Sequence, residues 1–238
     1  MSKTIAFVSP KGGVYKTTTS FNIYGALINP FIISHDHTSN LDFINVQREK
    51  LKTKRETKDI EDYNFTQSIE FVDGEAVDTF EDSVSLIDNY EKETGEEQTV
   101  IFDFGGYITE AHTSILGIAD VIIIPTGSDE VDLQALKTIS EQIAEVNKDN
   151  GTNIVANVLL TNVHHTQTSE SPSFKRVVEE VSKFSNLRLL ETYIPRGSDM
   201  QNALSSGCNV FERRSTRNGK QANALRKLVK ELNLPSNK

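Results

Sequence analysis

The sequence predicts an α/β protein with a doubly wound, mostly parallel sheet flanked by helices. Short apolar runs alternate along the chain with segments of helical periodicity, an order typical of βαβ units. Hydrophobic residues make up 37% of the 238 residues and charged residues 25%, which suits a single domain over residues 1–238. A glycine-rich segment follows the first apolar run, as in folds that bind a ligand after a strand.

Short apolar runs bounded by polar or turn residues predict the strands. The first is TIAFVS, and the most apolar are TVIFDF and ADVIIIPTG. Runs this apolar are typical of strands that are buried on both faces of a parallel sheet. The predicted strands cover residues 4–9, 30–34, 67–72, 99–104, 119–127, 153–162 and 187–195.

Apolar residues spaced three or four apart predict the helices. The clearest is 130–147, whose shared face holds Val131, Leu133, Leu136, Ile139, Ile143 and Val146. Residues 47–62 are so charged that we expect a solvated helix or loop with no contribution to the core. The other predicted helices cover residues 16–28, 76–93, 173–184, 199–206 and 217–232.

Composition excludes several classes of protein. No apolar run approaches the roughly 18 residues that cross a membrane, and the N-terminus has no signal-peptide cleavage pattern. The single cysteine, Cys208, excludes an internal disulfide and fits a reducing cytoplasm. His35, His37, His164 and His165 lack the Cys/His spacing of a zinc site, so we expect them to be isolated polar loop residues.

The charge is unevenly distributed. The net charge is −9, yet residues 211–230 contain seven Lys or Arg and one Glu, a local charge of +6. These cations either contact DNA phosphates without reading sequence or form a solvated face that balances an acidic body. They are Arg213, Arg214, Arg217, Lys220, Arg226, Lys227 and Lys230. The short apolar stripe between them lacks aromatic residues, so we expect it to pack on the sheet and not to bind a membrane.

The segment SPKGGVYKTTTSFN has the composition of a phosphate-binding loop. Backbone N–H groups of such a loop and the N-terminus of the following helix attract anions. Lys16 would reach the phosphates, and the Thr17 hydroxyl would bind Mg²⁺. The general pattern G-x-x-x-x-G-K-[ST] is not met, however, because Pro10 and Tyr15 replace its two glycines.

The more specific pattern KGGVYKTT resembles the deviant Walker A loop of the ParA/MinD family of P-loop ATPases, and the small plasmid and chromosome partition proteins in particular. The resemblance implies that Lys11 crosses a dimer interface to the partner's nucleotide and acts in catalysis. It implies that Lys16 serves its own subunit's ATP and that Thr17 binds Mg²⁺. The implied nucleotide-binding loop also includes Gly12, Gly13, Val14, Tyr15 and Thr18.

Two later segments are similar to the switch regions of this family. SHDHTSNLDF places Asp36 where the family has the aspartate that positions the attacking water. It departs from the family pattern at Ser34, His37 and Thr38. TVIFDFGGY implies that Asp103 holds Mg²⁺ through water, followed by a switch at Gly105 and Gly106.

The C-terminal half is similar to the base-binding side of these ATPases. By position, Asn162 at the end of a strand would contact adenine, and Pro195 and Arg196 would lie near the base. The resemblance therefore runs from about residue 4 to the end of the chain.

The resemblance implies an ATP-dependent DNA partition or positioning ATPase, cytoplasmic and nucleoid-associated when bound to DNA. Its implied partners are a second copy that dimerises with ATP and Mg²⁺, non-specific DNA and a protein that stimulates hydrolysis. Tyr15 leaves an alternative open, because its Cβ and ring would stand beside the β-phosphate. If nucleotide binding or turnover is impaired there and at Ser34, the chain is a ParA-like adaptor in partition, conjugative DNA transfer or polar positioning.

Overall fold

The computed structural model describes residues 3–35, 41–58, 71–72, 80–95, 97–106, 110–167 and 169–236. Its seven strands are β1 (Lys3–Phe7), β2 (Pro30–His35), β3 (Phe71–Val72), β4 (Thr99–Phe104), β5 (Val121–Thr126), β6 (Ala156–Leu160) and β7 (Leu187–Leu189). They form one sheet in the order β3-β2-β4-β1-β5-β6-β7, and every pairing is parallel. The predicted doubly wound sheet is confirmed.

Eight helices of the described residues cover the two faces of this sheet. They are α1 (Lys16–Tyr24), α2 (Leu41–Lys58), α3 (Phe80–Thr94), α4 (Glu110–Ile118), α5 (Glu130–Asn150), α6 (Pro172–Ser182), α7 (Asp199–Ser205) and α8 (Lys220–Glu231). Alternate strand residues point to opposite faces. Thus Ile5 and Phe7 join a core with α1, α2, α7 and α8, whereas Ala6 and Val8 join a second core with α4, α5 and α6.

Several predicted elements differ in length. Helix α1 ends at Tyr24 and not at residue 28, with Gly25, a weak helix former, as its C-cap. The side chain of Asn209 occupies the space that a side chain at residue 25 would need. Strand β7 ends at Leu189. Further along the chain, the Ile194 N–H donates to the carbonyl of Leu160 in β6, and the Arg196 N–H donates to the carbonyl of Val163 just after β6. Residues 211–219 form turns ahead of α8. Of the predicted strand 67–72, only 71–72 lies among the described residues.

Helix α4 is absent from the sequence predictions. Its buried face combines Ile115 and Leu116 with His112, which is 1% exposed. The His112 ring stacks on Phe104 with centroids 4.3 Å apart. Because histidine counts as polar in a hydrophobicity pattern, the helical period was hidden at this position.

The expectation that residues 47–62 add nothing to the core is wrong for the N-terminal part of that segment. Helix α2 starts at Leu41, and both Leu41 and Ile44 are buried. Arg48 is fully buried as well, and its guanidinium donates to both carboxylate oxygens of Glu212 at 2.7 and 2.5 Å and to the Gly207 carbonyl at 3.0 Å. A charged residue therefore joins α2 to the turn at the start of the basic C-terminal segment.

Removing one partner of this ion pair is expected to destabilise the fold. Arg48→Met leaves Glu212 buried without its counter-charge, which costs about 4 kcal/mol and lowers Tm by about 8–16 °C. Thermal unfolding followed by circular dichroism measures the change. Arg48→Met combined with Glu212→Leu should recover part of the loss, because no unpaired buried charge remains.

The control for this prediction is the exposed pair of Lys137 and Glu141, 3.7 Å apart on α5. Lys137→Met should change the free energy of unfolding by less than about 0.5 kcal/mol. Equal effects of Arg48→Met and Lys137→Met would contradict the prediction.

Candidate functional site

The loop between β1 and α1 has the backbone of an anion-binding turn. Gly13 has φ 79°, and Tyr15, the N-cap of α1, has φ 67° and ψ 25°. The Tyr15 side chain makes no capping hydrogen bond, so the first-turn N–H groups of α1 are not capped by it and can face a ligand. Lys16 is buried under the loop, and its ammonium donates to the Lys11 carbonyl at 3.1 Å. The Thr161 hydroxyl donates to the Val14 carbonyl at 3.4 Å and ties the loop to the end of β6.

Asp103 and the two glycines after it lie beside this loop. Asp103 is fully buried and stands in register with Phe7 of β1 and Ser34 of β2. A Cβ on Gly106 would lie 3.7 Å from the Gly12 nitrogen, so the chain after β4 passes within contact distance of the loop. Thr17 occupies the first turn of α1 and is partly exposed. The hydroxyl of Thr17 and the carboxylate of Asp103 are both oxygen donors of the kind that Mg²⁺ binds.

The Lys11 side chain points towards helix α5 of the same chain. Its ammonium forms an ion pair with the carboxylate of Asp132, whose side chain is 11% exposed. Asp132 lies in the first turn of α5, and its carboxylate occupies the space that a side chain on Gly127 would take. Sequence reasoning missed Asp132; the signal was the acidic run SDEVD that follows strand β5.

A cavity of about 570 Å³ extends from the phosphate loop to the loop after β6. Of the predicted nucleotide-binding residues, Lys11, Gly12, Gly13, Val14, Tyr15, Asn162 and Arg196 line it. Lys16, Thr17 and Thr18 are not in its lining and belong to the first turn of α1 behind the loop. The remaining wall consists of residues that the sequence analysis did not assign: Gly127, Ser128, Asp129, Asp132, Thr161, His164, Thr166 and Gln167.

The far wall of this cavity is held by side-chain hydrogen bonds. The Gln167 amide donates to the Ser128 hydroxyl at 2.9 Å, and its oxygen accepts from the His164 backbone N–H at 2.8 Å. Asn162 has φ 56°, a left-handed conformation that asparagine tolerates. His164 therefore belongs to a fixed cavity wall, a position that spacing along the sequence could not indicate.

One predicted residue near the base, Pro195, lies elsewhere. Pro195 does not line this cavity; it lines a second one with Lys220 and Lys227, and its carbonyl accepts from the Gln221 amide at 3.0 Å. Asp36, with His37 and Thr38, lies outside the described residues. Within the described part of the chain, no group of three or more His, Cys, Asp and Glu side chains could hold a metal ion.

The basic C-terminal residues divide into two groups. Arg213 donates to the Asn202 carbonyl at 3.2 Å, and Arg226 lies over the Phe211 ring and donates to the Arg217 carbonyl at 2.8 Å. The other five cations are exposed: Arg214, Arg217, Lys220, Lys227 and Lys230. The apolar stripe of α8 is buried in the core, so the expected packing on the sheet is confirmed.

No helix in the described ranges combines the length and hydrophobicity that crossing a membrane requires. Burial raises the pKa of the Cys208 thiol to about 12, with Glu212 adding to the rise. The thiol therefore stays protonated near neutral pH, and Cys208 acts as a small core residue.

Solved structures with this fold cover nearly the whole chain. A search of curated proteins finds no match. An McdA variant from Cyanothece in complex with ATP has a TM-score of 0.70 and 19% identity, over 99% of this chain and 98% of that one. A plasmid partition protein from Borrelia burgdorferi B31 bound to AMPPNP has a TM-score of 0.61 and 15% identity, over 97% of both chains. The septum site-determining protein MinD with Mg-ADP from Pyrococcus horikoshii OT3 has a TM-score of 0.60 and 19% identity, over 98% of this chain and 96% of that one.

At these identities the likeness shows a shared fold. The family is shown by a comparison of the sequence, which does not depend on the structural likeness. The model of the CobQ/CobB/MinD/ParA nucleotide binding domain matches residues 5–210, which is most of the chain. The protein with this phosphate loop and this sheet therefore belongs to the CobQ/CobB/MinD/ParA nucleotide-binding family.

Proposed function

We propose that the chain is a partition or positioning ATPase that dimerises around ATP and Mg²⁺ and binds DNA without sequence preference. The observation that carries the proposal is the cavity of about 570 Å³ that joins the phosphate loop to Asn162 and Arg196. Its volume lies within the roughly 300–1,000 Å³ of small-molecule sites. One end is lined by the backbone of residues 11–15 of the phosphate loop, whose N–H groups suit phosphates, and the other end has the Asn162 amide and the Arg196 guanidinium as donors.

The residues around the loop would have different roles in binding and hydrolysing the nucleotide. Bound ATP supplies the transferable phosphoryl group, and Mg²⁺ neutralises charge on its oxygens. Lys16 would exchange the Lys11 carbonyl for a phosphate oxygen, and Thr17 and Asp103 would hold the metal. Asp36 would orient the attacking water. The glycine switch lies against Gly12, so a phosphate in the loop would change the surroundings of Gly106.

Nucleotides in solved relatives support this assignment. The McdA variant, the plasmid partition protein and MinD hold ATP, AMPPNP and Mg-ADP respectively in the same fold. The five exposed cations of the C-terminal segment supply the positive surface for DNA. A partner protein would then stimulate hydrolysis and release the dimer from DNA.

Tyr15 favours a second candidate, a ParA-like adaptor that binds nucleotide poorly or turns it over slowly. The left-handed conformation of Tyr15 is one that glycine adopts freely and that costs an L-residue about 1–2 kcal/mol. The loop thus keeps a glycine-like backbone with a tyrosine side chain. The same side chain narrows the cavity that it lines, and this favours the adaptor.

Lys16→Ala should weaken binding of ATP about a hundredfold. The ammonium is buried beside the loop, and loss of a charged donor to phosphate costs about 3 kcal/mol. Isothermal titration calorimetry with ATP and Mg²⁺ measures the change, with Lys137→Ala on α5 as the matched control. No binding heat from the wild-type chain would refute the ATPase proposal and favour the adaptor.

Lys11→Ala should bind ATP but remain monomeric, because Lys11 is proposed to contact the nucleotide of the partner subunit. Light scattering after size-exclusion chromatography in ATP and Mg²⁺ gives the mass. Lys137→Ala, a change to an exposed lysine of α5, should leave the ATP-dependent dimer intact. A Lys11→Ala variant that dimerises like the wild type would show that this lysine does not bridge subunits.

Tyr15→Gly should be about 1 kcal/mol more stable than Tyr15→Ala, because alanine keeps the Cβ that makes the left-handed conformation costly. Urea unfolding of the two variants measures the difference. In the ATPase proposal, steady-state phosphate release by Tyr15→Gly stays close to that of the wild type or falls. A large gain in phosphate release would support the adaptor instead.

A further inference from the structure

Basic residues concentrate in two stretches of this acidic chain. Residues 48–58 contain six Lys or Arg and two Glu, and residues 211–230 contain seven and one. Together they hold 13 of the 25 basic residues, and the rest of the chain carries a net charge of −19. The second stretch is the predicted DNA-binding segment, whereas the first belongs to α2 and has no role in the function proposed above.

Helix α2 has a buried basic residue on one side and exposed basic residues on the other. Arg48 points into the protein and pairs with Glu212. Lys50 and Lys54 are exposed, and their positions two and six residues after Arg48 place them on the opposite side of a helix with 3.6 residues per turn. Phe43 and Val46, 52% and 51% exposed, share that outer side one to two turns earlier.

The two basic stretches lie in one helical layer. Leu41 and Ile44 of α2 share a core with buried residues of α7 and α8. Both stretches therefore cover the same face of the sheet. The Arg48–Glu212 pair joins them directly, since Arg213 and Arg214 follow Glu212 in the chain.

We propose that the outer side of α2 is a second contact for the DNA backbone, in which Lys50 and Lys54 bind phosphates. The inference rests on the DNA binding proposed above and extends it beyond the C-terminal segment. The two lysines lie about 6 Å apart along the helix axis, which corresponds to a rise of about two base pairs along the DNA axis. The buried ion pair already holds α2 in place, so binding does not have to order the helix.

Charge favours DNA over a protein partner on this surface. A polyanion is attracted to both basic stretches and is repelled by the acidic remainder, and this orients it on the α2 and α8 layer. Phe43 and Val46 are the features that a protein partner would use instead. They lie towards the start of α2, one to three turns from the two lysines, and they can be changed separately.

The test compares three charge-neutralised variants in DNA binding. They are Lys50→Gln with Lys54→Gln on α2, Arg214→Gln with Arg217→Gln in the C-terminal segment, and Lys137→Gln with Lys148→Gln on α5 as the matched control. Fluorescence anisotropy with a short labelled duplex, in ATP and Mg²⁺ and over a range of salt concentrations, gives the slope of log K against log salt. Thermal unfolding and calorimetry with ATP check that each variant folds and binds nucleotide.

The α2 variant is expected to lose about 1.8 from the magnitude of the salt slope for each bound subunit, because two phosphate contacts disappear. It should weaken binding equally for duplexes of different sequence, while the α5 control matches the wild type. Binding of ATP by the α2 variant should be unchanged, because α2 does not line the nucleotide cavity.

A wild-type slope in the α2 variant, with a reduced slope in the C-terminal variant, would overturn this inference and leave the proposed function standing. If the wild type does not bind DNA with ATP, the DNA part of the proposed function fails, and the inference fails with it. Loss of DNA binding in Phe43→Ser with Val46→Ser, but not in the α2 lysine variant, would assign this side of α2 to apolar contacts and overturn the phosphate assignment.

Discussion

The parallel pairing of β1 with β4 and β5 is the constraint on which the site depends. In a parallel sheet the carboxyl ends of neighbouring strands meet at one edge. Pairing of Phe7 with Asp103 and with Ile123 brings three chain segments there: the phosphate loop, the glycine switch and the start of α5. A shift of one residue in this register would turn Asp103 to the other face of the sheet and separate it from the loop.

Two ion pairs in the structure differ in their exposure to water, and this difference suits them to different roles. Arg48 and Glu212 are shielded from water and hydrogen-bonded on several sides, so they hold two elements together and separate only at high cost. Lys11 is 38% exposed at the mouth of the cavity, where solvent weakens its attraction to Asp132. The first pair suits a permanent connection between two elements, and the second suits the proposed role of Lys11 at a partner subunit's nucleotide.

Tyr15 illustrates the limit of a residue pattern. A tyrosine at a glycine position leaves open whether the loop is intact, and the backbone at Tyr15 and Gly13 turns as a glycine-rich loop does. Two contacts of the loop supply the reason. The Thr161 hydroxyl, from a distant segment, donates to the Val14 carbonyl, and the Lys16 ammonium donates to the Lys11 carbonyl within the loop itself. Together these contacts compensate for the conformational cost of one residue.

The sequence by itself determined the α/β class and the strand–loop–helix unit that begins at residue 4, because apolar periodicity and glycine placement are local properties. The roles of Lys16, Thr17 and Asp103 are implied by the motif and the family resemblance and stay predictions. Only the tertiary structure decided that Lys11 faces Asp132, that His164 and Gln167 form the far wall, and that Arg48 is a core residue. Each of these joins residues that are distant in the chain, and a charged side chain reveals burial only once its partner is placed beside it.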